Sequence, residues 1–488
     1  MFPLLTVIVF LPLAGAIIVA LLGNGRPGAA RVTALAVTAV DLLLAAWLVI
    51  SYDVAAGGMQ FAEVHAWVPQ MGITYHLAVD GISLSMVALS ALLTLLAVIA
   101  SWDTEKKSAT WFAMLLLLEV GMNGVFLAMD FVLFYVFWEL VLVPMYFLIG
   151  TWGGPRREYA AIKFFLYTLF GSVFMLVGII ALYLQTGTFN ILEMAGGAGL
   201  SATFQFWVFA AFFLGFAVKV PIFPLHTWLP DAHVEAPTAA SVLLAGILLK
   251  MGTYGFIRVS LPILPDAAQQ WSGFLAALAA ISIVYGAAVA FAQKDMKKLV
   301  AYSSVSHMGF VMLGIASLTV EGINGAVAVM FSHGVVTGML FFLVGMVYER
   351  THTRMIEDVS GLSVQVPVAA GLLAFASFAS LGLPGLSGFV GEFLSLLGAW
   401  SSSMWSGWVI ISAIGVLLAA AYMLWLVQRV VLGTPSHAVA GISDLTHREV
   451  GVLIPLVALT LVVGIYWDSL LRFVDPAAQA LVALVGGS

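Results

Sequence analysis

Apolar runs long enough to cross the roughly 30 Å hydrocarbon layer of a bilayer recur about fourteen times along this chain, and that repetition leaves few folds open. The windows lie near 2–22, 31–51, 81–101, 110–128, 130–151, 160–185, 204–230, 237–259, 271–292, 296–317, 322–349, 366–400, 405–432 and 450–473. A soluble core has no use for so much apolar length in blocks of about twenty, and a sequence 62% hydrophobic and only 9% charged fits lipid instead. An all-α polytopic membrane protein is expected. The first run has no basic stretch before it and flows into the second, so it reads as a retained helix and not a cleaved signal.

Loop charge tests this division, because cytoplasmic loops hold the excess of lysine and arginine. Basic residues collect on one side, from Arg26, Arg31, Lys106 and Lys107 through Lys294, Lys297 and Lys298 to Arg429 and Arg448. The other side keeps only Arg258 and Arg472. An even number of spans then puts both termini on the outer face, and a bacterial cytoplasmic membrane is the expected location. No cysteine is present, which excludes disulfides, cysteine-ligated iron–sulfur clusters and thiol catalysis in this chain. The basic residues are scattered singly along one face, so nucleic-acid binding has no support. Gly23–Asn24–Gly25–Arg26–Pro27–Gly28 matches the dinucleotide fingerprint, yet it is a loop between spans with no strand before it. No nicotinamide, flavin or metal site is evident, and any redox chemistry belongs to partners.

The longest outer loop, about 52–79, carries Gln60–Trp67 and Ile73–Val79 around Pro69 to Gly72, which reads as a small β-hairpin with a packing or subunit-contact role. Two spans look broken. Pro221 and Pro224 remove donors to the carbonyls of Ala217 and Val220, and Gly382–Leu383–Pro384–Gly385–Leu386–Ser387–Gly388 interrupts a later span. Irregular backbone at this depth is tolerated where it is buried in protein or lines a wet cavity. The breaks lie about five spans apart, as two inverted five-helix repeats would produce, spans 4–8 and 9–13. The expected division is 1–109 for the first three spans with their hairpin, 110–260 and 271–432 for the repeats, and 433–488 for the last span, after which the chain ends.

Ionisable side chains at membrane depth are the strongest functional signal. Lys219 lies in the apolar run Phe206–Val220, Glu139 lies mid-span among aromatics, Lys250, His307 and His333 sit inside later spans, and Glu392 follows the second break. Each charge at the bilayer centre costs about 2.5–3.5 kcal/mol on insertion scales, so an unpaired set would cost on the order of 15 kcal/mol. They must pair, be hydrated or titrate. Glu139 and Lys219 are natural partners: burial disfavours the charge on each, and their mutual field restores it. A static buried pair that fixes helix register is the competing reading. His307 and His333, with hydroxyls around them and taken together with mid-span Lys250, suggest a proton relay ending at Glu392; a satisfied hydrogen-bonding role is the bland alternative for each histidine. Glu119 is a further mid-span acid that could exchange with Glu139, while Asp41 and Asp80 read as structural. In His226–Pro237, two histidines and two acids hint at metal, but the prolines argue against helical ligand spacing, and a hydrated entrance fits better.

Phe137–Leu140, Lys219–His233, Lys294–Ser304 and Gly388–Phe393 carry a resemblance that covers essentially the whole chain. Together they resemble the antiporter-like subunits of proton-pumping NADH–quinone oxidoreductase, respiratory complex I. Glu392, where sister subunits typically have lysine, and the lack of a long lateral helix look like the subunit M branch. The resemblance implies that Glu139 and Lys219 form a modulating pair, that Lys250 is the central proton carrier, that His307 and His333 connect it, and that Glu392 is nearest the outer exit. It also implies sister membrane-arm subunits as partners, with NAD, flavin, iron–sulfur clusters and quinone on other subunits. A multisubunit Na+/H+ antiporter, or a related ferredoxin- or hydrogenase-linked pump, is the alternative function. A structural spacer is a third, and the density of mid-span charges argues against it.

Overall fold

The computed structural model describes residues 2–197 and 199–486. Among these, thirteen helices are long and apolar enough to cross a membrane. The fourteenth crossing is divided between Pro367–Ser380 and Ser387–Ser401, the span expected to be broken. The chain is an integral, multi-pass membrane protein.

Burial sorts the helices into shells. Thr238–Ile263 and Val320–Thr351 are buried along their whole apolar length and Met296–Ser317 along 94% of it, whereas only 28% of Pro27–Ser51 and 39% of Arg157–Thr186 is covered. A helix apolar on every face needs either lipid or protein all round it, and here the most polar-studded apolar helices are the ones placed inside. Small residues let their backbones meet. A Cβ on Gly334 would lie 2.9 Å from the Gly246 carbonyl oxygen, so position 334 needs hydrogen for the His333 helix to lie against the Lys250 helix.

The hairpin forms as expected, with β1 (Gln60–Val68) antiparallel to β2 (Ile73–Val79) and Gly72 in the left-handed turn between them. Its inner strand is mostly buried. Glu63 accepts from the backbone N–H groups of Leu5 (2.8 Å) and Thr6 (3.1 Å), which satisfies free donors at the start of helix Leu4–Leu22. Asp80 caps helix Gly81–Ala100 and pairs with Arg258, a structural role for both.

Backbone irregularity is wider than the two expected breaks. Helix Ala202–Lys219 ends at Lys219; the freed Ala217 carbonyl accepts from Ile222 N (3.0 Å), and the Val218 carbonyl accepts from Trp228 Nε1 (2.9 Å). In the other break Gly382 and Gly385 take φ of +80° and +91°, where glycine costs least. A third interruption was not expected: the fifth span is two helices, Phe131–Leu140 and Leu142–Trp152, meeting at Val141 beside Glu139. Trp228–Glu235 is helical, although its prolines were expected to argue against helical ligand spacing there. Pro230 falls in the first turn, where its missing N–H has no partner to lose. The last span is also shorter than expected. It stops at Ile465, and the chain continues into helix Asp468–Val485, whose apolar side (Leu470, Val474, Ala478, Leu481, Val482) is buried against helices Gly81–Ala100 and Val320–Thr351. Its polar face kept it below the hydropathy of a span.

Candidate functional site: a row of buried ionisable groups

Lys250 is fully buried between two π-turns, Leu244–Leu248 and Phe256–Ser260, in one otherwise helical span. A π-turn widens the helix and releases carbonyls from the regular ladder. The Lys250 ammonium donates to one of them, Ala245, and to His333 Nδ1 at 2.6 Å. A lysine that donates to Nδ1 leaves the ring proton on Nε2 in the neutral histidine. That nitrogen has no partner among the described residues.

His307 lies next along the row, its ring centroid 5.7 Å from that of His333. Its Nδ1 meets Glu392 Oε1 at 2.8 Å and its Nε2 meets Ser380 Oγ at 3.1 Å. Ser380 closes the helix before the Gly382–Gly385 break and Glu392 lies in the helix after it, so the break brings both halves of the span to one imidazole. Both rings line a cavity of about 20 Å³, together with Ser332, Thr337, Ser380 and Glu392 among others. About 10–15 Å³ of such space holds one water, and these walls supply the polar partners it needs. Lys250, His333, His307 and Glu392 therefore form one series, with two direct contacts and one gap of water size.

Glu139 and Lys219 are brought to one neighbourhood without the ion pair that was expected. The Lys219 nitrogen and Glu139 Oε1 are both buried without a hydrogen-bond partner. The ammonium instead sits 4.6 Å from the ring centroid of Trp138, a fully buried indole that also packs edge-on to Phe216. An indole face attracts a desolvated cation by about 2 kcal/mol, enough to compete with a distant carboxylate. Glu139 is only half-buried, on a flank that also exposes Val136 and Val143.

Glu119 does not join Glu139. Its direct side-chain neighbour is Asp41, and Asn123, one turn on, donates from Nδ2 to Asp41 Oδ2 at 3.2 Å. Within the segment 226–237, expected as a hydrated entrance, the part around His233 is dry. His233 is fully buried, stacked on Phe341 with centroids 4.6 Å apart, and both of its nitrogens lack partners. Beside it, Lys297 was read as a loop residue yet is only 7% exposed; its nitrogen donates to the Ala236 carbonyl at 2.5 Å, at a cavity of about 260 Å³ that also holds Glu235 and Arg354. The run Lys294–Lys298 hid it, because three lysines around one aspartate look like a solvated turn. Among the described residues, no group of three or more His, Asp or Glu side chains is arranged to hold a metal ion.

Comparison with known proteins places this geometry. The family described as NADH:quinone oxidoreductase/Mrp antiporter, transmembrane, matches residues 128–419. The chain is 46% identical to NADH-quinone oxidoreductase subunit M of Rhodobacter capsulatus over 98% of its own length and 96% of that protein, and 45% identical to NAD(P)H-quinone oxidoreductase chain 4 of a Synechococcus strain over 95% and 90%. A chain of respiratory complex I from Thermus thermophilus superposes with a TM-score of 0.91 at 35% identity, covering 99% of this chain and all of that one. The Mrp complex of a Dietzia species shares the fold at 22% identity, with a TM-score of 0.86. With the profile covering more than half its residues and relatives above 40% identity along nearly its full length, the chain belongs to the NADH:quinone oxidoreductase/Mrp antiporter transmembrane family.

Proposed function

We propose that this chain is the subunit M type of proton-translocating, antiporter-like subunit in the membrane arm of NADH–quinone oxidoreductase, set between sister subunits and driven by quinone reduction elsewhere in the complex. The observation that carries the reading is the series Lys250–His333–His307–Glu392, held inside the most buried helices. Lys250 is the central carrier, the two histidines pass its proton on, and Glu392 holds it last before the outer side. Glu139 and Lys219 bias that carrier through their charge. Glu119 lies outside the series. The two backbone breaks, at Lys219 and before Glu392, support repeats at 110–260 and 271–432, flanked by 1–109 and 433–488. Nicotinamide, flavin, iron–sulfur clusters and quinone belong to partner subunits, and this chain contributes no redox chemistry. Both termini face outward from a bacterial cytoplasmic membrane, in keeping with the loop charges.

A cation/proton antiporter shares the fold, but the full-length relatives above 40% identity favour the redox-driven complex. Replacing Lys250 with Ala in the assembled complex tests the reading. Proton pumping coupled to quinone reduction is expected to be lost while the complex still assembles. Unchanged pumping in an assembled Lys250→Ala complex rejects the relay.

A further inference from the structure

A second cluster of buried acids lies away from the row, in the outer layer formed by the first helices. Asp41 is near the middle of Pro27–Ser51 and Glu119 near the middle of Ser108–Leu127, and both are wholly buried. Asn123 lies one turn on from Glu119 along the same helix, and its bond to Asp41 brings the two carboxyls into one pocket. Asn123, also wholly buried, donates from Nδ2 to Asp41 Oδ2 at 3.2 Å and to the Ile8 carbonyl at 3.5 Å. That leaves Asp41 Oδ1, both Glu119 oxygens and Asn123 Oδ1 without a donor. Thr38, one turn from Asp41, spends its hydroxyl on the Ala34 carbonyl.

Among the described residues, no base bonds to these acids. Helices Leu4–Leu22 and Gly81–Ala100 carry no ionisable side chain, and Ser108–Leu127 carries only Glu119. Arg31 is the one base on the Asp41 helix, about 15 Å away along its axis, and it donates to the Thr104 carbonyl. From adjoining helices, Glu139 and Lys250 make no hydrogen bond to either acid; Lys250 is taken by Ala245 and His333. Two carboxylates in contact inside an apolar bundle cannot both stay ionised. Four acceptor oxygens with no protein donor, in a site that no basic side chain reaches, call for a proton, which supplies both charge and donor.

We propose that Asp41, Glu119 and Asn123 form a proton-holding site separate from the Lys250–Glu392 row, in which the two carboxyls share a resident proton that is exchanged during turnover. The proton sits as O–H on one carboxyl and donates to the other or to Asn123 Oδ1. Its exchange rests on the translocation reading above; its presence at rest does not.

Infrared difference spectroscopy on the whole complex in membranes tests both parts. At rest, the wild-type spectrum minus that of the Asp41→Asn/Glu119→Gln double variant is expected to show a protonated-carboxyl stretch that shifts in D2O. The single variants should move this band, and Lys250→Ala should leave it in place. The neutral isosteres keep the shape, so the double variant assembles. Under turnover the wild-type band should change amplitude, and the double variant should pump at least twofold more slowly per quinone reduced. An acid region identical in wild type and double variant would mean that neither carboxyl holds a proton, and would overturn the site. A band that never changes in turnover, with normal pumping by the double variant, would overturn the exchange. Loss of pumping in Lys250→Ala without the band would sink this site and leave the relay standing.

Discussion

From Lys250 to Glu392, each ionisable side chain reaches the next through a hydrogen bond or across room for one water, whereas Glu139 and Lys219 share a neighbourhood and no bond. The contrast follows from backbone. At the joined end, π-turns aim Lys250 inward and a glycine-built break folds both halves of a span around His307. At the open end, the Lys219 helix stops at the lysine, the Glu139 span is interrupted two residues later, and Trp138 holds the ammonium from the side. A proton can move along the joined end without rearranging a helix. The open end keeps an uncompleted contact, and a hydrogen bond between charged groups is worth about 1.5–3 kcal/mol. Completing or withholding it is the kind of step through which outside work can be delivered.

The largest effect should come from breaking the joined end. His307→Ala removes the partner of both Glu392 and Ser380 and leaves a buried carboxyl unmatched. Loss of one charge-assisted contact and one neutral one is worth about 3 kcal/mol, or roughly a hundredfold in the rate of coupled proton transfer. Proton uptake by membrane vesicles during NADH oxidation measures it. A loss smaller than that of any change at the open end would reverse the comparison.

Much of this was legible beforehand, and the failures share a cause. Apolar length located the spans, and the cost of mid-span charge picked out Glu139, Lys219, Lys250, His307, His333 and Glu392. What stayed hidden depends on which helix touches which. Glu119 pointed nowhere in sequence until helix packing set it against Asp41, and Asp41 looked structural because its partner is 78 residues away. The pair had one available signal: two mid-span acids in the first four spans with no mid-span base among them. The π-turns around Lys250 leave no local mark, since Leu, Ala, Gly and Ile suit a regular helix equally well. The expected Glu139–Lys219 bond failed because charge complementarity ignored the indole beside them.

The open end can be sharpened at that indole. Trp138→Leu removes the aromatic face from Lys219, and a desolvated contact of about 1–2 kcal/mol translates to roughly a tenfold effect. Pumping should fall by about that factor, and a structure of the variant should show the lysine moved into ion-pair distance of Glu139. Trp138→Phe keeps a weaker face and should lie between. If Trp138→Leu pumps normally with Lys219 in place, the gap between lysine and glutamate is a packing accident.

The smallest effect tests how far the joined end extends. In neutral His307 with its proton on Nδ1 toward Glu392, Nε2 is an acceptor and Ser380 is the donor; in the doubly protonated ring both nitrogens donate and Ser380 accepts. The serine hydroxyl can turn to serve either state, so it follows the ring through a protonation cycle at the cost of one rotation. Ser380→Ala leaves the carboxyl contact intact and strips that adjustable partner. A neutral hydrogen bond of about 1 kcal/mol corresponds to roughly a fivefold loss in coupled pumping, with Ser380→Thr keeping most of the activity. An unchanged rate in Ser380→Ala would end the series at the His307–Glu392 contact. It would also mean that the water-sized space beside the ring, and not the hydroxyl, supplies the second partner each time His307 changes state.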